Sequence, residues 1–314
     1  MMSEPFITIF TAPKAFTHSH IAMIQRNAIQ SWMHLGDGVK VLLVGEEASL
    51  AEFAAGNGIQ HLPDVARNAW GTPLVSSIFE LARQNSSSPL MAYVNADILL
   101  TPDFIKAALQ VLSQAERFLI VGQRWDLDVQ QAIDFSPGWD TRLQEQVKGH
   151  GRLHPPGGSD FFIFPRACFT KLPGFAIGRA GWDNWMFFHA RLQRWLVVDA
   201  TSSLTVIHQE HDYSHLPDGQ PHYLLPETAD NIRLAGGRRA IFTLLDADYA
   251  LDSGKLRHLP LRGKRFWRNI ETYPLLSLKS NLLAEIIFAI FHPGKAFGEW
   301  RGRLAYLIKK YGSQ

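Results

Sequence analysis

The chain has 314 residues, of which 46% are hydrophobic and 19% charged, a composition ordinary for a globular protein with one large domain or one domain and an appendage. Its formal net charge of only +2 excludes a strongly basic nucleic-acid-binding chain, and its single cysteine, Cys168, excludes an internal disulfide and favours a reducing compartment. The first ten residues, MMSEPFITIF, show neither the basic start nor the long apolar stretch of a signal peptide, so we expect a cytoplasmic location.

Over the first 130 residues, short apolar runs alternate with segments of helical pattern. Near-continuous apolar strands that alternate with helices predict an α/β fold with a mostly parallel central sheet flanked by helices. The strands are predicted over 6–12, 39–45, 58–65, 90–98 and 117–125. The helices between them are predicted over 18–34, 47–56, 73–84 and 103–115.

The pattern changes after residue 130. A turn-rich stretch precedes a strand within 154–169, and a glycine-rich loop leads into a helix within 174–194. One or two strands then precede a histidine-rich loop within 195–215, whereas residues 216–254 have no assignable pattern.

The stretch MAYVNADILL, residues 91–100, places two polar side chains near the end of a buried strand. Ligands of open α/β sheets bind beyond the carboxyl ends of the strands, and residues i and i+2 of a strand face the same side. Asn95 and Asp97 are therefore predicted to point together into one cleft, where the carboxylate can hold Mg²⁺ or Mn²⁺. The alternative is a capping acid or a polar strand end.

The stretch HQEHDYSH, residues 208–215, forms a dense polar cluster with three histidines, His208, His211 and His215, and with Asp212. These histidines leave open a zinc site, although the neighbouring chain offers no cysteine ligand and no structural-zinc spacing. A surface loop is the other alternative for His208.

Eight segments in a fixed order give the chain its resemblance to a known family. The chain resembles GT-A-fold nucleotide-sugar glycosyltransferases of the family-2 type over about residues 5–215. The resemblance implies a GT-A-like catalytic domain over 1–254, with a nucleotide-binding half of about 1–130 and an acceptor half of about 131–254. Residues 255–314 lie outside the resemblance, and their composition predicts a helical appendage. The segments are FTAPKAF, QRNAIQSW, WGTPLVSSIF, YVNADILL, VGQRWDLD, GGSDFFIFPR, FAIGRAGWDNWM and TVIHQEHDYSH.

The resemblance implies a metal site built on Asp97 and His208. The triplet Asn95-Ala96-Asp97 matches the family's Asp-x-Asp motif, whose acids hold the Mn²⁺ or Mg²⁺ that bridges the donor diphosphate. Asn95 supplies no charge, so Asp97 must do most of the metal binding. His208 matches the late histidine that completes the metal or diphosphate site.

The resemblance also implies roles around the sugar and the acceptor. Asp183 matches the base that deprotonates the acceptor hydroxyl in inverting members, with a helix-terminal acid as the alternative. Trp182 and Trp185 could stack on sugar rings, with core packing as the alternative. Asp160 could contact donor-sugar hydroxyls, with an ordinary turn acid as the alternative.

The nucleotide is implied to lie against the ends of the first two strands. Thr11, Ala12 and Pro13 match the loop that contacts base and ribose, and Glu46 matches an acid that reads the base. Three arginines are candidate partners of phosphate or sugar groups, with structural or solvated roles as the alternative: Arg67, Arg124 and Arg179.

The function implied is transfer of a sugar from a UDP- or GDP-linked donor to a glycan or lipid-linked acceptor. Two alternatives stay open: a nucleotidyltransferase acting on a sugar phosphate, and a catalytically silent nucleotide- or glycan-binding module. The sequence lacks Gly-x-Gly-x-x-Gly after its first strand, a P-loop and a Gly-x-Ser-x-Gly elbow, which argues against a dinucleotide-binding fold, a P-loop NTPase and a serine hydrolase.

The segment 255–314 is basic and aromatic. It holds 12 Lys or Arg against 3 Glu, a net charge of +9, and helices are predicted near 274–291 and 295–310. Lys279 and Glu285 interrupt its longest apolar stretch, which argues against a membrane span. Basic residues among aromatic ones suit an anionic membrane surface, so we expect a peripheral place on the inner face of the membrane, with a charged outer surface as the alternative. No nucleic-acid-binding module is recognised.

Overall fold

A computed structural model describes residues 4–157, 159–211 and 225–311, with side chains up to residue 302. The strands are β1 (Ile7–Thr11), β2 (Val39–Val44), β3 (Gln60–Leu62), β4 (Leu90–Val94), β5 (Ile98–Leu100), β6 (Phe118–Val121), β7 (Trp125–Leu127), β8 (Arg152–Leu153), β9 (Phe161–Pro165), β10 (Leu196–Asp199), β11 (Val206–Gln209), β12 (Tyr249–Asp252) and β13 (Lys255–His258). The helices are α1 (Ser19–Met33), α2 (Leu50–Gly56), α3 (Val75–Gln84), α4 (Asp103–Leu112), α5 (Trp139–His150), α6 (Trp182–Leu192), α7 (Pro226–Leu234), α8 (Lys264–Leu276), α9 (Asn281–Phe291) and α10 (Pro293–Tyr311).

A nine-stranded sheet forms the centre of the fold, in the order β13-β12-β10-β6-β9-β4-β1-β2-β3. Its pairings are parallel except where β9 joins β4 and β6 and where β13 joins β12. The expected α/β fold, a mostly parallel central sheet flanked by helices, is therefore confirmed. It is the architecture that the resemblance to GT-A-fold transferases implied.

Helices cover both faces of this sheet because its strands are apolar on both sides. Along β4, Met91 and Tyr93 pack with α3 and α6 on one face, while Leu90, Ala92 and Val94 pack with α1, α2 and α4 on the other. Strands buried on both faces read as continuous apolar runs, which is why the sequence predicts them. Among the described helices, none is long and apolar enough to cross a membrane.

A second sheet of four short strands, ordered β5-β11-β7-β8, sits beside the central one. Strand β11 is antiparallel to β5 and parallel to β7, so His208 lies opposite Ile98 on one side and opposite Asp126 on the other. The indole of Trp32, on α1, donates to the Ile98 carbonyl at 2.8 Å and ties this sheet to the first helix. Residues far apart in sequence thus meet at one place.

The structure differs from the sequence prediction at several boundaries. The strand predicted over 90–98 ends at Val94, and a turn separates it from β5. The single helix predicted near 274–291 is instead two helices. The first, α8, begins earlier, at Lys264, and ends at Leu276, and the second, α9, begins at Asn281. Between 225 and 254, where no pattern was assignable, the chain forms α7, two 3₁₀ turns and β12.

The edge of the basic segment also differs from expectation. Residues 255–258 form β13, which pairs with β12 through Leu251 opposite Leu256. The change of composition at 255 therefore falls inside a β-hairpin of the central sheet. The helical appendage begins after this hairpin, with α8.

Candidate functional site

The turn after β4 separates the two polar residues of the Asn95-Ala96-Asp97 triplet. The Ile98 amide donates to the Asn95 carbonyl at 3.1 Å, which closes a turn rather than extending the strand. The Asn95 side chain donates to Asp160 at 3.0 Å, whereas the Asp97 carboxylate meets the His211 ring at 3.1 Å. The prediction that both side chains point together from one strand is therefore wrong, because the chain turns between them.

The small sheet brings two histidines to Asp97. His208 Nε2 lies 3.8 Å from the Asp97 carboxylate, and one ligand atom from each of Asp97, His208 and His211 falls within 4.8 Å of the others. The amide of Gln209 fixes this approach, since its Nε2 donates to the Asp97 carbonyl at 3.1 Å and to the Ile24 carbonyl at 2.7 Å. Asp212 and His215 lie outside the described residues.

The surroundings of Asp97 hold it as a carboxylate. Burial on its own raises the pKa of Asp97, but the His211 hydrogen bond and the electrostatic effects of His208 and Lys14 outweigh burial, so this pKa lies well below its ordinary value. Burial lowers the pKa of His208 despite the opposing charge of Asp97, which keeps the imidazole neutral near pH 7. A carboxylate beside imidazole rings is a ligand set suited to a divalent cation.

Lys14 is a site residue that the sequence did not single out. Its charge acts on Asp97, and burial lowers its pKa while Asp97 opposes that shift. The loop that carries Lys14 is fixed by Gln25 of α1, whose side chain bonds the Lys14 amide at 2.7 Å and the Lys14 carbonyl at 3.0 Å. This loop directly follows β1, and its position after a parallel strand was the available signal.

Asp126, at the centre of β7, is a second residue that the sequence did not single out. Its carboxylate lies 3.5 Å from His208 Nδ1 and 2.8 Å from His154 Nδ1. Burial raises its pKa, but the His154 and Arg124 contacts prevail and the pKa of Asp126 is lowered. The segment VGQRWDLD was part of the family resemblance, yet only the pairing of β7 with β11 shows that Asp126 stands beside His208.

Arg124 forms ion pairs with both Asp126 and Asp160, two acids near the histidine cluster of Asp97, His208 and His211. Its Nε lies 2.9 Å from Asp126, and its Nη1 lies 2.8 Å and 2.9 Å from the two carboxylate oxygens of Asp160. All three side chains are largely buried. Arg124 therefore holds Asp126 and Asp160 at a fixed separation, the structural role that the sequence left open.

Replacing Arg124 by methionine is expected to lower the free energy of unfolding by about 3 kcal/mol, because two largely buried carboxylates lose their shared cation. Urea unfolding at pH 7 measures this change. Arg233→Met is the matched control, since Arg233 and its partner Asp230 form an exposed pair within α7. The control should lose no more than about 1 kcal/mol. An equally small loss of unfolding free energy in Arg124→Met would contradict the role assigned to Arg124.

Asn95 contacts Asp160, whose charge in turn acts on Asp183. The Tyr93 hydroxyl donates a hydrogen bond to Asn95 Oδ1 at 3.1 Å, and the Asn95 amide nitrogen donates to Asp160. Asn95 therefore positions Asp160 and does not join Asp97, His208 and His211. Burial raises the pKa of Asp183, backbone amides at the start of α6 partly offset this, and the charge of Asp160 raises it further. A carboxyl with a raised pKa beside a second acid is suited to take up a proton.

Trp182 and Trp185 are buried at the start of α6. The Trp182 ring packs edge-on against Tyr93 at 4.9 Å and against Phe162 at 5.5 Å between ring centroids. The Trp185 ring stacks on His189 at 4.5 Å. Both rings therefore pack in the core as the alternative interpretation held, and the expected stacking on a sugar finds no open ring face at either position.

The residues implied to hold the nucleotide lie at the carboxyl ends of β1 and β2. Thr11 and Pro13 are buried and Ala12 packs against the core, so this loop offers mainly its backbone and the following Lys14. Glu46 is exposed just past β2 and binds Arg67 at 3.1 Å. Because β4 is the other parallel neighbour of β1, these residues and Asp97 share one edge of the sheet.

The other two candidate arginine contacts are also ion pairs within the protein. Arg67 binds Glu47 at 2.9 Å as well as Glu46, and Arg179 binds the largely buried Glu227 at 2.8 Å. Glu227 also accepts from Asn68 at 2.6 Å, which links α7 to the loop before α3. These arginines have structural partners in the described chain.

A groove of about 800 Å³ adjoins the histidine cluster through Asp126. Its walls come from the loop after β7, from α5 and from Glu210, the residue before His211. Polar side chains that line it include Asp128, Gln130, Arg142, Gln146 and Arg152. The groove is rich in hydrogen-bonding groups of both kinds.

No protein-family model matches this chain, and no curated protein matches it in sequence. Among solved structures it is similar to the TarS 1–349 fragment of S. aureus in complex with UDP-GlcNAc, at 10% identity and a TM-score of 0.48 over 73% of this chain. It is also similar to glucosyl-3-phosphoglycerate synthase from Mycobacterium tuberculosis in complex with Mn²⁺, UDP and glucosyl-3-phosphoglycerate, at 14% identity and a TM-score of 0.47, covering 82% of this chain and 88% of that one. The chain spans 65% of the TarS fragment, less than two thirds of its length.

Proposed function

We propose that this protein is a glycosyltransferase that moves a sugar from a UDP- or GDP-linked donor to a glycan or lipid-linked acceptor with the help of a divalent cation. The observation that carries the proposal is the convergence of Asp97, His208 and His211 at the carboxyl end of β4. This edge is where open α/β sheets bind their ligands.

The side chains of the cluster fit a cation. Asp97 Oδ1 is buried and makes no hydrogen bond to another described residue, so a cation in the cluster could satisfy a carboxylate oxygen that the described protein groups leave unsatisfied. Asp97, His208 and His211 would hold the ion. Imidazole ligands favour Mn²⁺ over Mg²⁺, which prefers oxygen. When bound, the ion would neutralise charge on the leaving diphosphate.

The remaining residues would orient the sugar and move a proton. Asp160, held by Asn95 and Arg124, would accept hydrogen bonds from donor-sugar hydroxyls. In an inverting reaction the acceptor oxygen bonds to the anomeric carbon, and the bond from that carbon to the phosphate oxygen breaks with its electron pair leaving on the diphosphate. Asp183 would take the proton from the acceptor hydroxyl.

The groove beside Asp126 is our candidate for the acceptor. Its mixture of carboxylates, amides and guanidinium groups suits a polyhydroxyl chain, whose hydroxyls both donate and accept hydrogen bonds. A lipid-linked acceptor would place the enzyme at the inner face of the membrane.

Calorimetric titration of the full chain with UDP and with GDP tests the proposal. We expect one of the two to bind at least about tenfold more tightly with Mn²⁺ than without it, a coupling of about 1.4 kcal/mol. A panel of matching nucleotide sugars should then release the nucleoside diphosphate. His34→Gln is the control for His208→Gln, because His34 is exposed and distant in sequence from the cluster.

Three outcomes would contradict the proposal in different ways. Release of pyrophosphate would identify a nucleotidyltransferase instead. Tight nucleotide binding without turnover of any sugar donor, with a broad glycan acceptor mixture present, would identify a binding module. Equal nucleotide binding with and without Mn²⁺, unchanged in His208→Gln, would show that the site does not use a cation to bind the nucleotide.

A further inference from the structure

The exposed apolar side chains of this protein are concentrated in its appendage. Of the seventeen large hydrophobic residues that are exposed in the described chain, eleven lie between Leu261 and Trp300. Isolated exposed apolar residues are normal on protein surfaces, but a contiguous concentration marks an interaction site. This concentration is typical of an interaction surface.

Helix α9 forms the centre of this surface. Its inner side is packed on the catalytic domain, because Ala284 and Phe288 are buried and the Arg239 guanidinium lies 3.2 Å from the Phe288 ring centroid. Its outer side is formed by Leu282, Leu283, Ile286 and Ile290, which we call the α9 face. Leu282 and Ile290 are 72% and 70% exposed.

Exposed aromatic side chains stand on α8 and α10, the helices that contact α9. Trp267 of α8 is 57% exposed, and its ring meets that of Phe291 of α9 at 5.7 Å. Trp300 of α10 is 58% exposed and stacks on Phe297. Amphipathic rings of this kind sit at the level of lipid headgroups in interfacial helices.

The charges around these helices are positive where they are exposed. The acids of the described appendage are all ion-paired: Glu271 with Arg268, Glu285 with Arg239, and Glu299 with Arg238 and Arg239. In contrast, three exposed lysines form no ion pair with any described residue: Lys264, Lys279 and Lys295. The outward field of the appendage is therefore cationic.

We propose that the α9 face docks on the surface of an anionic lipid bilayer, with α9 lying in the plane of the interface. At about 1.5 Å per residue, an 11-residue helix is about 16 Å long and cannot cross a hydrocarbon core of about 30 Å. Apolar side chains can enter the interface while the lysines meet headgroup phosphates. A second copy of the chain is the weaker occupant, because an isologous contact would oppose lysine to lysine.

The proposal is independent of the proposed catalytic function, and flotation of the full chain with vesicles tests it. We expect binding to vesicles of phosphatidylcholine with phosphatidylglycerol, and far weaker binding to phosphatidylcholine alone. The variant Lys264→Gln/Lys279→Gln/Lys295→Gln should lose roughly fivefold in partitioning per lysine on anionic vesicles. Its control, Lys106→Gln/Lys148→Gln/Lys171→Gln, removes three exposed lysines that lie outside the appendage.

The apolar half of the proposal has its own variant, Leu282→Gln/Ile286→Gln/Ile290→Gln. Glutamine is a good helix former, so α9 should persist while its apolar face is lost. We expect at least tenfold weaker partitioning, compared with no change in the control Leu109→Gln/Leu234→Gln, which alters exposed leucines of α4 and α7. Circular dichroism of each variant verifies its helix content.

Two results would overturn the proposal. One is failure of the wild-type chain to float with anionic vesicles at low salt. The other is a dimer in light scattering that the glutamine variant of α9 converts to a monomer while vesicle binding is absent or unchanged, since a second copy would then cover the α9 face.

Discussion

Asp97→Ala is expected to weaken Mn²⁺ binding by at least about 100-fold and to remove metal-dependent nucleotide binding. Losing even a group that only orients a metal ligand typically costs about 10–100-fold in affinity, and Asp97 is proposed as a ligand itself. Its pKa lies well below the ordinary value, so the charge that would be lost is present throughout the physiological range. Calorimetry with Mn²⁺ alone, then with the nucleotide, measures both effects.

The isosteric change Asp97→Asn separates charge from shape. It keeps an acceptor oxygen near His211 but removes the negative charge, so we expect most of the affinity loss to persist. Asp199→Asn is the matched control, because Asp199 also lies at the carboxyl-terminal edge of the central sheet, at the end of β10, where its carboxylate accepts from Thr201. Mn²⁺ binding by Asp97→Asn equal to that of the control would make the cluster a structural one.

Asp183→Asn is expected to lower transfer activity by about 100-fold or more, the lower range for loss of a positioned general base. The same variant is expected to unfold at a higher temperature than wild type at pH 7. Asparagine keeps an acceptor for the Gly181 amide, which lies 3.2 Å from Asp183 Oδ1, but it removes a charge that burial and Asp160 disfavour. Opposite effects on activity and stability are what a functional acid produces.

The stability difference should depend on pH in a defined direction. The folded pKa of Asp183 is raised, so the folded chain binds this proton more tightly than the unfolded chain. Stability from the wild-type carboxyl is then fully present below the ordinary pKa of about 3.9 and falls as pH rises through the folded pKa. The advantage of Asp183→Asn should therefore appear at neutral pH and vanish in acid.

Asp140→Asn provides a close control. Asp140 follows Trp139 at the start of α5 just as Asp183 follows Trp182 at the start of α6. An acid that serves only the helix dipole should lose about 0.3–1 kcal/mol of stability on neutralisation and leave activity intact. Matching behaviour of the two variants would show that Asp183 is an ordinary helix-terminal acid.

Local signals in the sequence were sufficient for the parallel strands of the first half of the sheet and for the edge at which Asp97 lies, but not for β12 and β13. Strands buried on both faces need long apolar runs, and a polar residue at the end of such a run marks the edge where ligands bind. The split at Val94 was not predictable, because β5 forms only by pairing with β11, more than a hundred residues later. Asp126 escaped notice for the same reason, since its neighbour His208 is supplied by that distant strand.

Burial of the tryptophans shows another limit. The same aromatic residue types stack on sugars and fill protein cores, and their spacing in the sequence does not distinguish the two roles. Trp182 enters a cluster of rings from β4, β9 and α3, which depends on how α6 lies on the sheet. Asn95 likewise looked like a weakened metal ligand, whereas its contacts to Tyr93 and Asp160 make it a support for another acid.

The hairpin between β12 and β13 has a consequence for any shortened form of this protein. Truncation at residue 254, where the composition changes, would remove β13 and leave β12 (Tyr249–Asp252) as an unpaired edge strand. Unpaired edge strands can pair with other chains, and natural proteins commonly prevent this with charged side chains on the edge strand. Lys255 and Arg257 place such charges on the outermost strand of the sheet, so we expect these first cations of the basic segment to disfavour self-association, whatever the later ones bind.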